Sequence, residues 1–302
     1  MAAAAWEPHT VTSTEFLDPG PVTALATLFD DGLPAPAVGD PLPPLWHWVA
    51  LPRWAPSSQL SVDGHPFRGS FLPPVELPRR MFAGGSVTFD GELRVGDEVR
   101  REATVESVTE KNGRSGQLVI VVTSTTLFAP DGTPAVVEKQ NIIYREAAAA
   151  GSASERGQSG SDPAKRPAPD PAAAMTPAGP PIVADGDAQW EFRTDPTLLM
   201  RFSAATANAH RIHYDWPYAT GVEGYPGLVV HGPLMTLSLA ETHRLAGTGR
   251  VASLSHRNSA PLFCGQSARL VSTPTDNGTT VELLGPRGAD AAAHTTVELT
   301  LA

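Results

Sequence analysis

The sequence predicts an α+β protein made of two similar units, in each of which an antiparallel sheet wraps a central helix. Three observations predict this. A Pro/Ala/Ser-rich stretch divides the 302-residue chain near its middle, each half ends in the same three-strand meander, and an apolar segment with helical potential precedes each meander.

The dividing stretch, "AAAAGSASERGQSGSDPAKRPAPDPAAAMTPAGPP", covers residues 147–181. It offers almost nothing to bury, so ordering it would cost conformational entropy that no core returns. It is expected to be a flexible linker with a reach near ~33 Å, enough for units 1–146 and 182–302 to pack side by side. The length of the chain also suits about two domains of ~100–200 residues each.

In the first half, "EVRREATVESVTEKNGRSGQLVIVVTSTTLFAPDGTPAVVEKQNIIYRE" reads as three strands with turns at Asn112-Gly113 and Asp131-Gly132. In the second, "GQSARLVSTPTDNGTTVELLGPRGADAAAHTTVELTLA" repeats the pattern, with turns at Asn277-Gly278 and near Arg287-Gly288. The helix ahead of the second meander is "GPLMTLSLAETHRLAG": Leu234, Leu237, Leu239, Ala240 and Leu245 form its apolar faces, and Gly247 is its expected stop. Its counterpart, "PLPPLWHWVALPRW", is weakened by Pro41, Pro43, Pro44 and Pro52.

Composition narrows the function. Apolar residues make up 41% and charged residues 18%, which is globular, while 30 prolines and 27 glycines imply many turns. A net charge of −10 argues against a nucleic-acid partner, which needs a broad basic face. The single cysteine, Cys264, excludes an internal disulfide and a cysteine-based zinc cage, and suits a reducing compartment. The N-terminus has no basic start and carries Glu7, and no apolar run approaches the ~18 residues of a membrane span. The expected location is the cytoplasm, without a membrane partner.

The densest chemistry lies in "NAHRIHYDWPYATGVEGYPGLVVHG", residues 208–232, where His210, His213 and His231 fall close to Asp215. Three readings compete. As metal ligands, His210 and His213 at i, i+3 with Asp215 and His231 match none of the strong ligand signatures, so no metal is expected. As structural groups, the histidines are satisfied polar side chains and Asp215 caps the turn "WPYAT". As an acid–base site, a histidine takes a proton from water, a side-chain amide orients the reactants, and a helix-start N–H polarises a carbonyl. His47 and His65 have no partner motif and are expected to be structural.

"TANAHRIHYDWPYA" followed by "GYPGLVVHGPL" resembles the signature of MaoC-like, (R)-specific enoyl-CoA hydratases, which have the hotdog fold. His213 falls on the catalytic histidine, Asp215 on the following acidic position, Ala219 on a small residue, and His231-Gly232 on the pair that opens the central helix. The departure is Asn208, which stands where the family has its catalytic aspartate; His210 and Arg211 replace the usual Asn and Pro. Together with "PRRMFAGGSVTF" (78–89) and "DPLPPLWHW" (40–48), this variant is similar to the branch of mesaconyl-C4-CoA (3-methylfumaryl-CoA) hydratases, itaconyl-CoA hydratases and mitochondrial-type 3-hydroxyacyl-thioester dehydratases.

The resemblance implies a double hotdog with a degenerate, substrate-binding first copy and a catalytic second copy. It implies that Gly232 N–H receives the thioester carbonyl, His213 is the base, and Asn208 orients the water, with His210, His231 and Asp215 in support. Arg211 is the expected partner of an acyl carboxylate; Arg79 or Arg80, next to Gly84 and Gly85, is the expected partner of that carboxylate or of a coenzyme A phosphate. Coenzyme A is part of the acyl-CoA substrate, no other cofactor is expected, and a homodimer stays open. Three functions stay open as well: a hydratase of a branched, carboxylated enoyl-CoA, a 3-hydroxyacyl-thioester dehydratase of chain elongation, and a non-catalytic thioester binder, the last suggested by the missing aspartate.

Overall fold

The computed structural model describes residues 6–113, 116–146, 179–247, 249–286 and 292–302. Most of the expected linker (147–178), the tip of the first turn (114–115) and the turn near Arg287-Gly288 (287–291) lie outside the described residues.

The two halves repeat one topology. The first runs β1 (Val11–Phe16), α1 (Pro19–Phe29), α2 (His47–Ala50), β2 (Arg79–Phe89), β3 (Glu98–Gly113), β4 (Gly116–Phe128) and β5 (Pro134–Arg145). The second runs β6 (Ile182–Ala184), β7 (Gln189–Phe192), α3 (Pro196–Ala205), α4 (Gly232–Ala246), β8 (Val251–Asn258), β9 (Ala268–Thr275), β10 (Gly278–Leu284) and β11 (Thr295–Leu301). The meanders β3–β4–β5 and β9–β10–β11 match the two predicted from alternation and turn residues. In each half the strand that precedes the meander pairs with its last strand, β2 with β5 and β8 with β11. A strand from the start of each half pairs with the meander's first strand, β1 with β3 and β7 with β9.

The halves join through β2 and β8, which pair antiparallel from Gly84–Arg257 to Thr88–Ser253. The described strands therefore form one eleven-stranded sheet in the order β1-β3-β4-β5-β2-β8-β11-β10-β9-β7-β6.

The central helices differ between the halves. α4 is long, begins with Pro233 in its first turn, and ends at Gly247 in the left-handed region (φ 64), as its sequence predicts. Leu234, Leu237 and Leu239 are fully buried against the sheet, each worth roughly 1.5–3 kcal/mol of apolar burial. In the first half the expected helix shrinks to the single turn α2, because Pro41, Pro43, Pro44 and Pro52 bracket it and withhold backbone donors. The aromatic side chains of this segment serve as anchors instead. Trp46 is buried and donates its indole N–H to Glu241 of α4 at 3.0 Å; Trp48 donates to the buried Glu138 at 2.8 Å.

Two further helices support the halves symmetrically. α1 and α3 each start at an aspartate followed by proline: Asp18 accepts from Gly20 N–H at 2.6 Å and Asp195 from Leu198 N–H at 2.8 Å. They contact each other across the molecule. Among the described residues, no helix is long and apolar enough to cross a membrane.

Candidate active site

The motif region follows the end of α3. Asn208 N–H donates to Ser203 C=O at 2.9 Å, and Asn208 Oδ1 accepts from His210 N–H at 3.0 Å, closing an Asx turn. A 3-10 turn, Arg211–His213, follows. The apolar segment Leu228–Val230 then runs alongside: Val229 N–H donates to Ile212 C=O at 3.0 Å, Val230 N–H to Leu262 C=O at 2.9 Å, and Cys264 N–H to Leu228 C=O at 2.9 Å. These bonds fix the motif against the start of α4.

His213 is buried and its Nδ1 lies 2.7 Å from Val229 C=O, so that nitrogen carries the proton and donates. Nε2 is left as the lone pair, with no hydrogen-bond partner among the described residues. Burial, opposed by the bond to Val229 and reinforced by the nearby His65, pushes the pKa of His213 down to about 4. The ring is neutral across the physiological range and can accept a proton. His231 stacks on it at 3.6 Å with 19° between the planes, bonds Ser203 Oγ through Nε2 at 2.8 Å, and is itself fully buried.

Both halves line a cleft of about 1860 Å³. Asn208, His210, His213 and Gly232 contribute from the second half; His65, Arg79 and Arg80 contribute from the first. Gly232 N–H, at the start of α4, has no backbone acceptor among the described residues, and the next residue is Pro233, which has no N–H. An acceptor oxygen at this point would meet an unpaired donor and the positive end of the helix. A side chain at Gly232 would press on Phe82, 3.0 Å from a Cβ there.

Four expected positions fall elsewhere. Arg211 turns from the cleft: its guanidinium holds Asp215 at 2.7–2.9 Å, lies 4.3 Å over the Tyr218 ring and donates to Val62 C=O. Asp215 is correspondingly structural, with Oδ1 accepting from Tyr218 N–H at 3.1 Å to cap the following turn. The hydrogen bond from Arg211 and then that from Tyr218 lower its pKa. Gly84 and Gly85 sit at the seam between β2 and β8 and not on the cleft wall. A Cβ on Gly84 would stand 2.3 Å from His256 C=O and one on Gly85 2.0 Å from Lys139 C=O, so the glycines are required by close strand packing.

The two arginines of β2 also separate. Arg79 is engaged: it donates to Tyr225 Oη at 2.8 Å and lies 3.7 Å from Glu223. Arg80 makes no hydrogen bond or ion pair among the described residues, although burial, countered by Tyr144 and Asp63, lowers its pKa. Among the described residues of the cleft wall it is a cation that no acceptor holds, as is the more exposed Arg53.

His65, expected to be structural, also lies on the cleft wall. Its ring lies 4.1 Å from His210, whose ring is in turn 5.5 Å from His213. A lone Asp-Gly-His in a loop carries no signal for this; the contact spans 145 residues and arises from docking of the halves. Asp63, His65 and His210 bring ligand-type atoms within 4.8 Å of one another. The set does not suit a cation, because Asp63 already accepts from Ser61 and twice from His65, and the Arg80 charge acts on both His65 and His210.

Comparison with known proteins agrees with this architecture. The profile of the hydroxyacyl-thioester dehydratase type 2 family matches residues 45–264. The mesaconyl-C(4)-CoA hydratase of Chloroflexus aurantiacus is 44% identical over 279 residues, 92% of this chain and 90% of that protein. The crystal structure of HtdX of Mycobacterium tuberculosis covers 96% of this chain and 99% of its own with a TM-score of 0.62 at 18% identity. A conserved hypothetical protein of the same organism, described as a double hotdog, covers 98% and 96% with a TM-score of 0.51 at 16% identity. With a profile match over most of its length and the same repeated topology, the chain belongs to the hydroxyacyl-thioester dehydratase type 2 family and has the double hotdog fold.

Proposed function

We infer that this protein is a hydro-lyase that adds water to the double bond of a branched, carboxylated enoyl-CoA, mesaconyl-C4-CoA or itaconyl-CoA, to give a citramalyl thioester. The observation that carries the reading is the pairing of His213, whose lone pair is held at Nε2 by the Val229 bond, with the unpaired N–H of Gly232 in one cleft. The relative that is 44% identical, a mesaconyl-C(4)-CoA hydratase, supports the choice of acyl group.

The chemistry follows from these groups. For the mesaconyl-C4 group, whose double bond is conjugated with the thioester, Gly232 N–H and the start of α4 stabilise the charge that develops on the thioester oxygen, which makes the β-carbon electrophilic. His213 Nε2 takes a proton from the water that adds there. Asn208 spends its oxygen on His210 N–H, so its amide NH2 is the group that orients the water. Arg80 receives the distal carboxylate, the role that Arg211 gives up to Asp215. His231 acts through His213 as its stacking support. Arg79, held by Tyr225, borders the cleft where coenzyme A would enter. The reaction requires no cofactor beyond the coenzyme A of the substrate, and the expected setting is the cytoplasm.

The family match over residues 45–264 favours a second reading, dehydration of a 3-hydroxyacyl thioester by the same groups in reverse. A hydration assay across crotonyl-, mesaconyl-C4-, mesaconyl-C1- and itaconyl-CoA separates the two. Preference for a carboxylated acyl group is expected; preference for crotonyl-CoA would assign the protein to chain elongation.

A further inference from the structure

The first half enters the site through the loop that carries Ser61, Asp63 and His65, and its backbone packs directly on the second-half motif. Gly64 adopts φ +91, and a Cβ there would stand 1.8 Å from Ala209 C=O; Arg211 N–H donates to Asp63 C=O at 2.9 Å. Close approach of this kind requires glycine. It delivers the His65 ring to within 4.1 Å of His210, on the wall of the cleft.

Asp63 is committed to His65. One carboxylate oxygen accepts from His65 Nδ1 at 3.2 Å; the other accepts from His65 N–H at 2.9 Å and from Ser61 Oγ at 2.6 Å. A carboxylate behind Nδ1 fixes the tautomer with its lone pair at Nε2, and it stabilises the imidazolium when Nε2 gains a proton. The second-half motif lacks such a carboxylate, because it carries Asn208.

Resting on the hydratase reading above, we propose that Asp63 and His65 belong to the active site: His65 is a second catalytic residue that carries one of the two protons of hydration, and Asp63 is the positioning residue that holds it. As the water oxygen bonds the β-carbon, His213 Nε2 takes its proton and the C=C electron pair moves into the thioester as an enolate. His65, protonated at Nε2, then gives its proton to the α-carbon as the enolate pair forms the new C–H bond. His213 returns a proton to His65 through solvent, so each turnover consumes one water and leaves both rings as they began.

The charges around His65 explain how it becomes a donor. Burial and then Arg80 hold its pKa down to about 4, Asp63 pulls it upward, and Arg68 opposes; His210, its ring neighbour, is neutral. A substrate carboxylate on Arg80 offsets that cation, leaves the pull of Asp63 opposed by burial and Arg68, and so raises the proton affinity of His65 on binding.

The test compares the parent, His65→Gln and Asp63→Asn on mesaconyl-C4-CoA, with melting temperature as the fold control, and then adds Asn208→Asp to each variant. His65→Gln should lower kcat roughly 10²-fold with KM within about threefold of the parent. Asp63→Asn, which keeps an acceptor for Ser61 and the His65 N–H, should lower kcat about tenfold and move the alkaline limb of the pH profile, where His65 loses its proton, to lower pH. It carries the test if His65→Gln does not fold. Asn208→Asp should restore about tenfold to His65→Gln and nothing to His213→Ala, because it supplies a proton carrier in place of the first but not the second. The assignment is overturned if a folded His65→Gln keeps a kcat within about twofold of the parent, if Asn208→Asp rescues neither first-half variant, or if a stoichiometric divalent metal accompanies the protein and its removal reproduces their defect. Parent turnover, measured alongside, leaves the hydratase reading standing in those cases. A parent inert on every enoyl thioester overturns both.

Discussion

His213 donates Nδ1–H to the carbonyl of Val229 at 2.7 Å, and this bond decides which end of the imidazole can act as a base. The expected consequence is that His213→Ala lowers kcat by roughly 10²–10⁴, the range of general acid–base catalysis, with a melting temperature near that of the parent. The same geometry sets the pH dependence. Because His213 is held down to about 4 by burial, kcat/KM should show no loss as pH falls through 6.5, the ordinary histidine value, and decline only toward 4. An acid limb centred at 6.5 would show that an unshifted histidine is the base.

Asn208→Asp should remain active. The aspartate keeps an acceptor for His210 N–H and gains the capacity to carry a proton, while its charge repels an anionic acyl group. KM for mesaconyl-C4-CoA should rise about tenfold and KM for crotonyl-CoA should change little. Steady-state kinetics on both substrates check this.

Arg80 and Arg211 should behave differently. Arg80→Met is expected to raise KM for carboxylated enoyl thioesters by roughly 10–100-fold, the worth of one charge-assisted hydrogen bond, and to leave crotonyl-CoA nearly unaffected. Arg211→Ala removes a partly exposed pair with Asp215 and should cost about 0.5–1 kcal/mol of stability without changing substrate preference. The opposite pattern would return the carboxylate to Arg211.

Glu241 gives a pH signature in stability. Burial pushes its pKa up to about 7, against the pull of Arg244, while Trp46 and Arg244 hydrogen-bond it. A raised carboxyl pKa means that the folded state binds the proton more tightly than the unfolded one. Its stabilising contribution is complete below about 4.5 and is lost as pH rises through 7. Glu241→Gln should therefore be more stable than the parent by about 1–2 kcal/mol at alkaline pH and similar to it at pH near ~5, as measured by denaturant unfolding.

The parts of this molecule that were legible in its sequence are those set by local rules. The meanders show through alternation and through Asp131-Gly132 and Asn277-Gly278, and α4 through its apolar faces and Gly247. α3 has a local signal too, Asp195-Pro196 with Leu198, Leu199 and Phe202 behind it, whereas α1 opens on Pro19-Gly20-Pro21, whose composition is that of a turn. In the site, the residues of one contiguous motif, Asn208, His210 and His213, come together as their spacing suggests. The fates of Arg80, Arg211, Gly84 and Gly85 depend on which strands meet at the seam and which neighbours compete for each guanidinium. His65 depends on the docking of two halves. None of these is a property of nearby sequence.

The seam of β2 with β8 has a consequence for how this cleft could come to differ at its two ends. In an assembly of two identical chains related by a two-fold axis, any substitution appears in both copies, so a change that suits the acyl group at one end is imposed on the catalytic end as well. Here the equivalent strands belong to a single chain and pair with each other directly. Symmetry no longer ties position 65 to its counterpart, nor α2 to α4. One half can shorten its helix to a single turn and place its strand arginines on the cleft wall, while the other keeps a full helix whose first N–H has no backbone acceptor among the described residues.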